Sequence, residues 1–349
     1  MPSLPRTFDA QLATLVKTPP EGDEWLHEIK LDGYRIGLAK NGARVTLTSR
    51  NGKDWTAKFP EIVEAARSID ASTALIDGEV AVMLPDGRTS FQALQNSQRS
   101  QTRDRLVFFA FDLLYRDGED VAHEPLEARK AKLADLLGVS NGDANDSGRI
   151  RYTDHVKGSG ARVLASACKL GLEGIVSKRR NQPYVPGRHG GWLKTKCINR
   201  QEFVVAGFTD PEGSRQGIGA LIVGDHDDRG RLRFAGKVGT GFSHRTALDL
   251  RTRLNTLEQK ACPFDPPPAA AAVGKRAHWV RPALVVEIVF AERTDDGRLR
   301  HPSFQGLRAD KAARDVVRED PKDVEAAAPR AAPRARAAPS RARGSRRRR

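Results

Sequence analysis

Lys30 stands in Glu28-Ile29-Lys30-Leu31-Asp32-Gly33-Tyr34-Arg35, with one acid two positions before it and another two positions after. The polar–apolar alternation through this lysine, followed by Asp-Gly, reads as a strand that runs into a tight turn. Standing alone, a Lys-x-Asp-Gly is an ordinary surface hairpin. A free lysine is neutral only about 0.04% of the time at pH 7, so it becomes a nucleophile where like charges and partial burial lower its pKa. Lys194, Lys196 and Arg35 could supply that charge by folding around Lys30. No G-x-x-x-x-G-K-[ST] loop occurs, nor a G-x-G-x-x-G between a strand and a helix. A nucleotide would therefore have to be held by another route, and a lysine nucleophile is such a route.

Further along come, in order, Ser49-Arg50-Asn51-Gly52, Asp77-Gly78-Glu79, Phe111-Asp112-Leu113-Leu114, Glu173-Gly174-Ile175-Val176-Ser177-Lys178, Trp192-Leu193-Lys194-Thr195-Lys196 and Arg308-Ala309-Asp310-Lys311. This ordered set resembles the motif series of the covalent nucleotidyltransferases: ATP-dependent DNA ligases, RNA ligases and mRNA capping enzymes. The likeness covers most of residues 20–312 and is greatest to the ligase domain of the bacterial end-joining ligases of the DNA ligase D type.

Carried over residue by residue, the resemblance implies that Lys30 attacks the α-phosphate of ATP, giving a lysyl-AMP and pyrophosphate, with Asp32 orienting Lys30 or the metal. Glu28 would read the base, because a carboxylate accepts from adenine's exocyclic amine and repels guanine's O6. Arg35 and Arg50 become ribose and phosphate contacts, Arg50 being suited also to the 5′-phosphate of a nick. Phe111 becomes the ring that stacks on adenine, although it reads equally well as a core residue of an apolar strand. Glu79 and Glu173 would hold the ribose hydroxyl and a catalytic Mg²⁺ or Mn²⁺, hard cations that prefer oxygen. Taken singly, each of these acids is an ordinary surface carboxylate. Lys194 and Lys196 can each hold a phosphate. Arg308 and Lys311 would clasp the β- and γ-phosphates so that pyrophosphate leaves in line. Their place in a second domain implies a hinge that closes for the first step and reopens for DNA.

The elements that must position these groups are legible in part. Arg44-Val45-Thr46-Leu47-Thr48 alternates like a half-buried strand and delivers Arg50 to its end. Leu75 to Val82 places the acids of Asp77-Gly78-Glu79 on a strand. Leu106 to Phe111 is apolar throughout, as in a central strand covered on both faces. Pro60 opens a short helix; Leu126 to Leu137 and Val163 to Leu170 are amphipathic, with Gly138 and Gly171 as C-caps. After Cys197 come short strands around one helix, Thr246 to Leu257, which suggest a small barrel. The expected fold class is α+β, and the resemblance implies a nucleotidyltransferase domain of mixed, mostly antiparallel sheets with helices over 1–197, then an OB-fold barrel over 198–320. Residues 1–24 read as a lead-in that packs late or not at all, 141–148 as a polar loop, and 265–273 as an inserted loop.

With 349 residues and 39% hydrophobic content, the chain suits two domains and a tail. No apolar run approaches a membrane span and the N-terminus lacks a signal-peptide core, so a cytoplasmic, nucleoid-associated protein is expected. Cys168, Cys197 and Cys262 are far apart, odd in number and without histidine clusters, suggesting neither disulfides nor zinc. The net charge is +15, of which residues 321–349 carry ten cations less two acids, +8, leaving +7 for the body. Both parts ask for a polyanionic partner. The tail, an Ala/Pro/Arg sequence, is too poor in apolar residues to fold.

The expected activity is thus nick sealing in duplex DNA, in repair or end joining, with an end-binding protein and a separate repair polymerase as conceivable partners and no membrane. An RNA ligase, a GTP-using capping enzyme and an inactive nucleic-acid-binding module are the rivals. Glu28 argues against guanine, and Lys30, Glu79, Glu173, Lys194 and Lys196 together argue against an inactive module.

Overall fold

In the computed structural model, the described residues are 3–5, 7–96, 101–139, 148–213, 216–274 and 276–327. The loop expected at 141–148 falls almost wholly outside them, as does the tail beyond Ala327. The N-terminal half holds two sheets. One runs Arg44–Ser49, Tyr34–Asn41, Thr73–Val82, Leu106–Arg116 and Glu119–Asp120, with Ile150–Tyr152 added in parallel to Leu106–Arg116. The other runs Thr14–Leu15, Trp192–Lys196, Gly174–Arg179, Trp25–Ile29 and Val156–Lys157. Most pairings are antiparallel.

Both faces of the first sheet are covered. Phe108, Ala110 and Leu113 enter a core with Ile36, Leu38 and the Pro60–Arg67 helix, while Phe111, Leu114 and Tyr115 enter another with Phe8, Tyr184 and Trp192. The uninterrupted apolar run of this strand follows from that double burial. Ser159 caps the Gly160–Lys169 helix by accepting from the Arg162 N–H, a contact worth about 1 kcal/mol. Gly138 and Gly171 take the positive φ values, 66° and 71°, expected of C-caps.

The C-terminal half is one antiparallel sheet running Leu232–Val238, Ala220–His226, Asn199–Thr209, Val285–Phe290 and Ser303–Leu307. A branch of Ala277–Val280 and Glu258–Gln259 leaves it at the end of Asn199–Thr209. The hydrogen bonds do not close it into a ring among the described residues. One side of it packs on the His244–Asn255 helix through Ala247, Leu250 and Leu254.

Four expectations are corrected. The described residues among the first 24 are not loose: Phe8, Leu15 and Val16 are buried, and Thr14–Leu15 pairs in parallel with Trp192–Lys196. Cys168 and Cys197 form a disulfide across 29 residues, because the helix ending at Lys169 packs beside the sheet whose Trp192–Lys196 strand ends next to Cys197. Part of the expected insertion is a helix, Ala270–Val273, with Val273 in the core. The chain stays ordered past Pro321: Lys322 pairs with Val16, and Val324 and Ala327 pack on Val16, Trp25 and Leu193. Among the described residues, no helix is long and apolar enough to cross a membrane.

Candidate active site

Two glycines let the backbone bring the reactive groups together. A Cβ at Gly33 would stand 2.2 Å from the Val80 carbonyl oxygen, and one at Gly174, whose φ is 150°, would stand 2.1 Å from that of Thr195. Any side chain there would push apart the strands flanking Lys30 and Glu173. With both absent, the Lys30 N–H donates to the Gly174 carbonyl at 2.9 Å. Lys30 Nζ then lies 2.7 Å from Glu173 Oε1, with its side chain 22% exposed to the cavity.

One cavity is lined by all twelve residues singled out from the sequence: Glu28, Lys30, Asp32, Arg35, Arg50, Glu79, Phe111, Glu173, Lys194, Lys196, Arg308 and Lys311. They come from both sheets of the N-terminal half and from the C-terminal half, so the site lies where the halves meet. Nine basic and seven acidic side chains line it. Such a balance suits an anion accompanied by a cation better than an anion alone.

The electrostatics correct one expectation directly. Burial works against the Lys30 ammonium, but Glu173, with Glu79 and Asp32 behind it, outweighs burial and raises its pKa above the ordinary lysine value. Lys30 is held charged. The depression expected there falls on Lys194 instead, where burial, aided by Lys196 and Arg188, brings the pKa down to about 7 even though Glu319 opposes it. Glu319 Oε2 lies 2.6 Å from Lys194 Nζ, on a segment that follows the C-terminal sheet.

Most of the other groups are held by partners. Arg35 grips both oxygens of Asp77, and its guanidinium lies 4.5 Å from the Phe111 ring centre. Phe111 is 5% exposed and packed edge-on to Trp192, so it is a core residue and a cavity wall at once. Asp32 accepts from the Phe91 N–H and from Arg200, rather than from Lys30. Arg200 also reaches Glu287 at 2.7 Å within its own half, so its bond to Asp32 ties the halves together. Arg308 is bidentate on Asp310, Lys311 pairs with Glu202, and Lys196 donates to the Arg200 carbonyl. The Arg50 N–H donates to the Arg35 carbonyl at 3.3 Å, but its side chain has no hydrogen bond or ion pair with a described residue, which leaves the guanidinium available to a ligand in the cavity it lines.

Glu79 Oε1 accepts the Gly33 N–H at 2.7 Å, and burial pushes its pKa up to about 7 despite nearby Lys30. No group of three His, Cys, Asp or Glu residues able to hold a metal by themselves occurs among the described residues. Two cavity-facing carboxylates, Glu79 and Glu173, nevertheless fit a hard cation that takes its other ligands from phosphate and water, as Mg²⁺ commonly does.

Sequence reasoning missed Arg200, Glu202, Glu287 and Glu319, which carry no local motif and arrive from the C-terminal half. It also passed over Lys178 and Asp310, although both stand inside quoted motifs.

Known proteins resemble the chain over most of its length. Residues 3–196 match the family described as the ATP dependent DNA ligase domain, and residues 214–311 the ATP dependent DNA ligase C terminal region. The Multifunctional non-homologous end joining protein LigD of Pseudomonas aeruginosa is 40% identical over 320 residues, covering 91% of this chain and 37% of that protein. The Multifunctional non-homologous end joining DNA repair protein LigD of Mycobacterium tuberculosis is 38% identical over 302 residues, 86% of this chain and 38% of that protein. The chain thus spans less than two-fifths of the length of these relatives. A solved structure of mycobacterial DNA ligase D complexed with ATP and MES superimposes with a TM-score of 0.64 at 36% identity, covering 89% of this chain and 98% of that one.

Proposed function

The chain belongs to the ATP-dependent DNA ligase family, and from that premise we propose that it seals nicks in duplex DNA through a lysyl-AMP at Lys30. The observation that carries this reading is the meeting of Lys30 with Arg308 and Lys311 in one cavity, although more than 270 residues separate them in sequence. In the first step the Lys30 ammonium gives one proton to solvent, its nitrogen bonds to the α-phosphorus of ATP, and a second proton passes to solvent as the phosphoramidate forms. The bond from that phosphorus to the bridging oxygen breaks, and pyrophosphate leaves towards Arg308 and Lys311. AMP then passes to the 5′-phosphate of the nick, for which Arg50 is the uncommitted cation. Attack by the 3′-hydroxyl releases AMP and closes the strand.

Glu79 and Glu173 would hold a divalent cation, Mg²⁺ or Mn²⁺, which supplies positive charge to the triphosphate and beside Lys30. Glu28 reads the base, Phe111 forms an adenine-facing wall, and Arg35 and Arg50 serve ribose and phosphate. Arg308 and Lys311 must release Asp310 and Glu202 to take phosphates, and their half must swing away before DNA can enter. The names of the relatives support end joining as the setting, with broken duplex ends among the substrates and an end-binding protein or repair polymerase as partners.

The test uses ATP labelled at the α-phosphate. The protein should carry covalent label, Lys30→Ala should carry none, and a nicked duplex should be sealed by the wild type alone. Label on Lys30→Ala would displace the nucleophile; labelling without sealing of DNA, but with joining of RNA, would move the chain to the RNA ligases.

A further inference from the structure

The C-terminal half sends a strap, Val316 to Ala327, back to the N-terminal half. It leaves from Val316, buried in the C-terminal core, and from Arg318, whose N–H donates to the His226 carbonyl at 2.9 Å. It arrives at Lys322, whose N–H donates to the Leu15 carbonyl at 3.0 Å. Glu319 stands at the crossing. Gln201 holds its carbonyl at 2.8 Å, and its carboxylate bridges two cations of the N-terminal half, with Oε1 2.5 Å from Arg188 and Oε2 2.6 Å from Lys194.

Arg188 and Lys194 both line the cavity that holds Lys30, and Glu319 does not. The acid thus grips the two cations from behind. A lysine carries its charge on a long flexible stem, so its ammonium is aimed only where something holds it. Among the described residues Glu319 is the sole hydrogen-bond partner of Lys194 Nζ. Two of the three ammonium donors are therefore left for a ligand. The strap does not need this contact to stay in place, because Val324 and Ala327 pack on Val16, Trp25 and Leu193. An acid buried between two cations is in any case a poor source of stability.

The surroundings of Lys194 make it depend on that acid. Leu15 and Val176 stand opposite it on the flanking strands and bring no charge. The charges that face it are Glu319 from the strap, Lys196 and Arg188 from its own half, and Glu202 from the C-terminal half. Burial, with the two cations, brings its pKa down to about 7, and Glu319 is the stronger of the two acids that oppose the fall. Burial also opposes the charge on Glu319, but Lys194 and Arg188 outweigh it and hold that carboxyl well below the usual carboxylate range.

Resting on the lysyl-AMP reading above, we propose that Glu319 is a positioning residue for the first chemical step, holding Lys194 and Arg188 from behind so that both cations are aimed at the phosphates of ATP. Without it the Lys194 stem is free to turn, and burial is left to strip the ammonium of its proton. A neutral amine makes a weaker contact with phosphate than an ammonium does.

The test follows covalent self-labelling by ATP as a single turnover. Beside it, modification of Lys194 by acetic anhydride is followed across pH without ATP and read by peptide mapping. Unfolded molecules lower the amplitude of a single turnover and leave its rate constant unchanged. Glu319→Gln should lower the second-order rate constant at pH 7 by about ten- to hundred-fold, the range of a lost hydrogen bond to a charged group. It should also move half-maximal modification of Lys194 to lower pH, by about one unit or more. Arg188→Met removes a neighbouring cation and should move it to higher pH. Glu319→Asp keeps the charge and should recover most of the rate. A Glu319→Gln protein that labels at the wild-type rate would overturn the proposal. So would a loss of rate in which Lys194 titrates as in the wild type or at higher pH, the mark of an acid that only fastens the strap over the lysine. A wild type that forms no adduct with ATP would overturn the lysyl-AMP reading itself, and this proposal with it.

Discussion

Lys30 Nζ and Glu173 Oε1 stand 2.7 Å apart, so the group proposed as nucleophile is paired to a carboxylate proposed as a metal ligand. The pair stores Lys30 as an ammonium, with a pKa above the ordinary lysine value because the Glu173, Glu79 and Asp32 charges outweigh burial. An ammonium has no lone pair, so the nucleophile stays silent until something draws Glu173 away.

Glu173→Gln should therefore move two readouts in opposite directions. Without the carboxylate the Lys30 pKa falls, and Lys30 should react faster with an amine-selective reagent such as trinitrobenzenesulfonate in the absence of ATP. Self-labelling by ATP should meanwhile fall at least a hundred-fold, on the order of what one lost electrostatic contact costs in a reaction site. Peptide mapping of the modified lysine checks the first outcome. Slower modification of Lys30 in the variant would mean that burial, and not Glu173, governs its reactivity.

Glu79 gives the pH dependence. Burial raises its pKa to about 7, so its carboxylate is neutral below and ionised above that value in the folded protein. The Mg²⁺ concentration needed for half-maximal self-labelling should drop as pH rises from 6 to 8, and Glu79→Gln should remove that slope. Stability should run the other way. A carboxyl whose folded pKa is raised favours folding below its unfolded pKa, and that contribution is lost as pH rises through 7. Glu79→Gln should thus stabilise the nucleotide-free protein above pH 7 by up to about 3 kcal/mol and have little effect at pH 4. Urea denaturation at the two pH values measures this; equal effects at both would place the cost elsewhere.

Arg308→Ala should separate the chemical steps. Arg308 is bidentate on Asp310 and lies 4.4 Å from the Phe91 ring centre, poised over the cavity from the C-terminal half. If its task is the leaving pyrophosphate, the variant should fail with ATP and still seal a nick whose 5′-phosphate already carries AMP. Equal losses on both substrates would assign Arg308 to DNA binding or to the fold.

The site was legible where the resemblance rests on particular residues in a short stretch. Lys30 with its flanking acids, Asp77-Gly78-Glu79 and Glu173-Gly174 stand out as an ordered set of motifs, although each acid taken singly reads as an ordinary surface carboxylate. What escaped is made by residues whose partners are distant in sequence. Arg129 and Lys130 look like the polar face of an amphipathic helix, yet both are buried, because Asp112 and Glu28 wait for them on neighbouring strands. Glu319 reads as one acid among basic neighbours and becomes the partner of Lys194 and Arg188 once the strap from Val316 to Ala327 returns to the N-terminal half. Periodicity cannot report such pairings, and it misjudged the first 24 residues for the same reason: Phe8 is buried against Gly37, where a Cβ would stand 2.3 Å from its ring.

The strap also decides where a truncation should fall. Lys322 exchanges backbone hydrogen bonds with Leu15 and Lys17, so cutting at Pro321 would strip an ordered edge from the sheet that carries Trp192–Lys196. Cutting after Ala327 removes residues 328–349, which hold nine arginines and no acid, and lowers the net charge from +15 to +6. A segment of that composition attracts phosphates without regard to sequence, and each phosphate neutralised on duplex DNA contributes about −0.9 to the slope of log affinity against log salt. Deletion of 328–349 should leave self-labelling by ATP and the unfolding midpoint unchanged, weaken duplex binding at low salt, and flatten the salt slope by about four to five, corresponding to roughly four to six lost phosphate contacts. Fluorescence anisotropy of a nicked duplex across a salt series reads all of this. An unchanged slope would mean that the body alone, at +6, holds the DNA and that the arginines serve another partner.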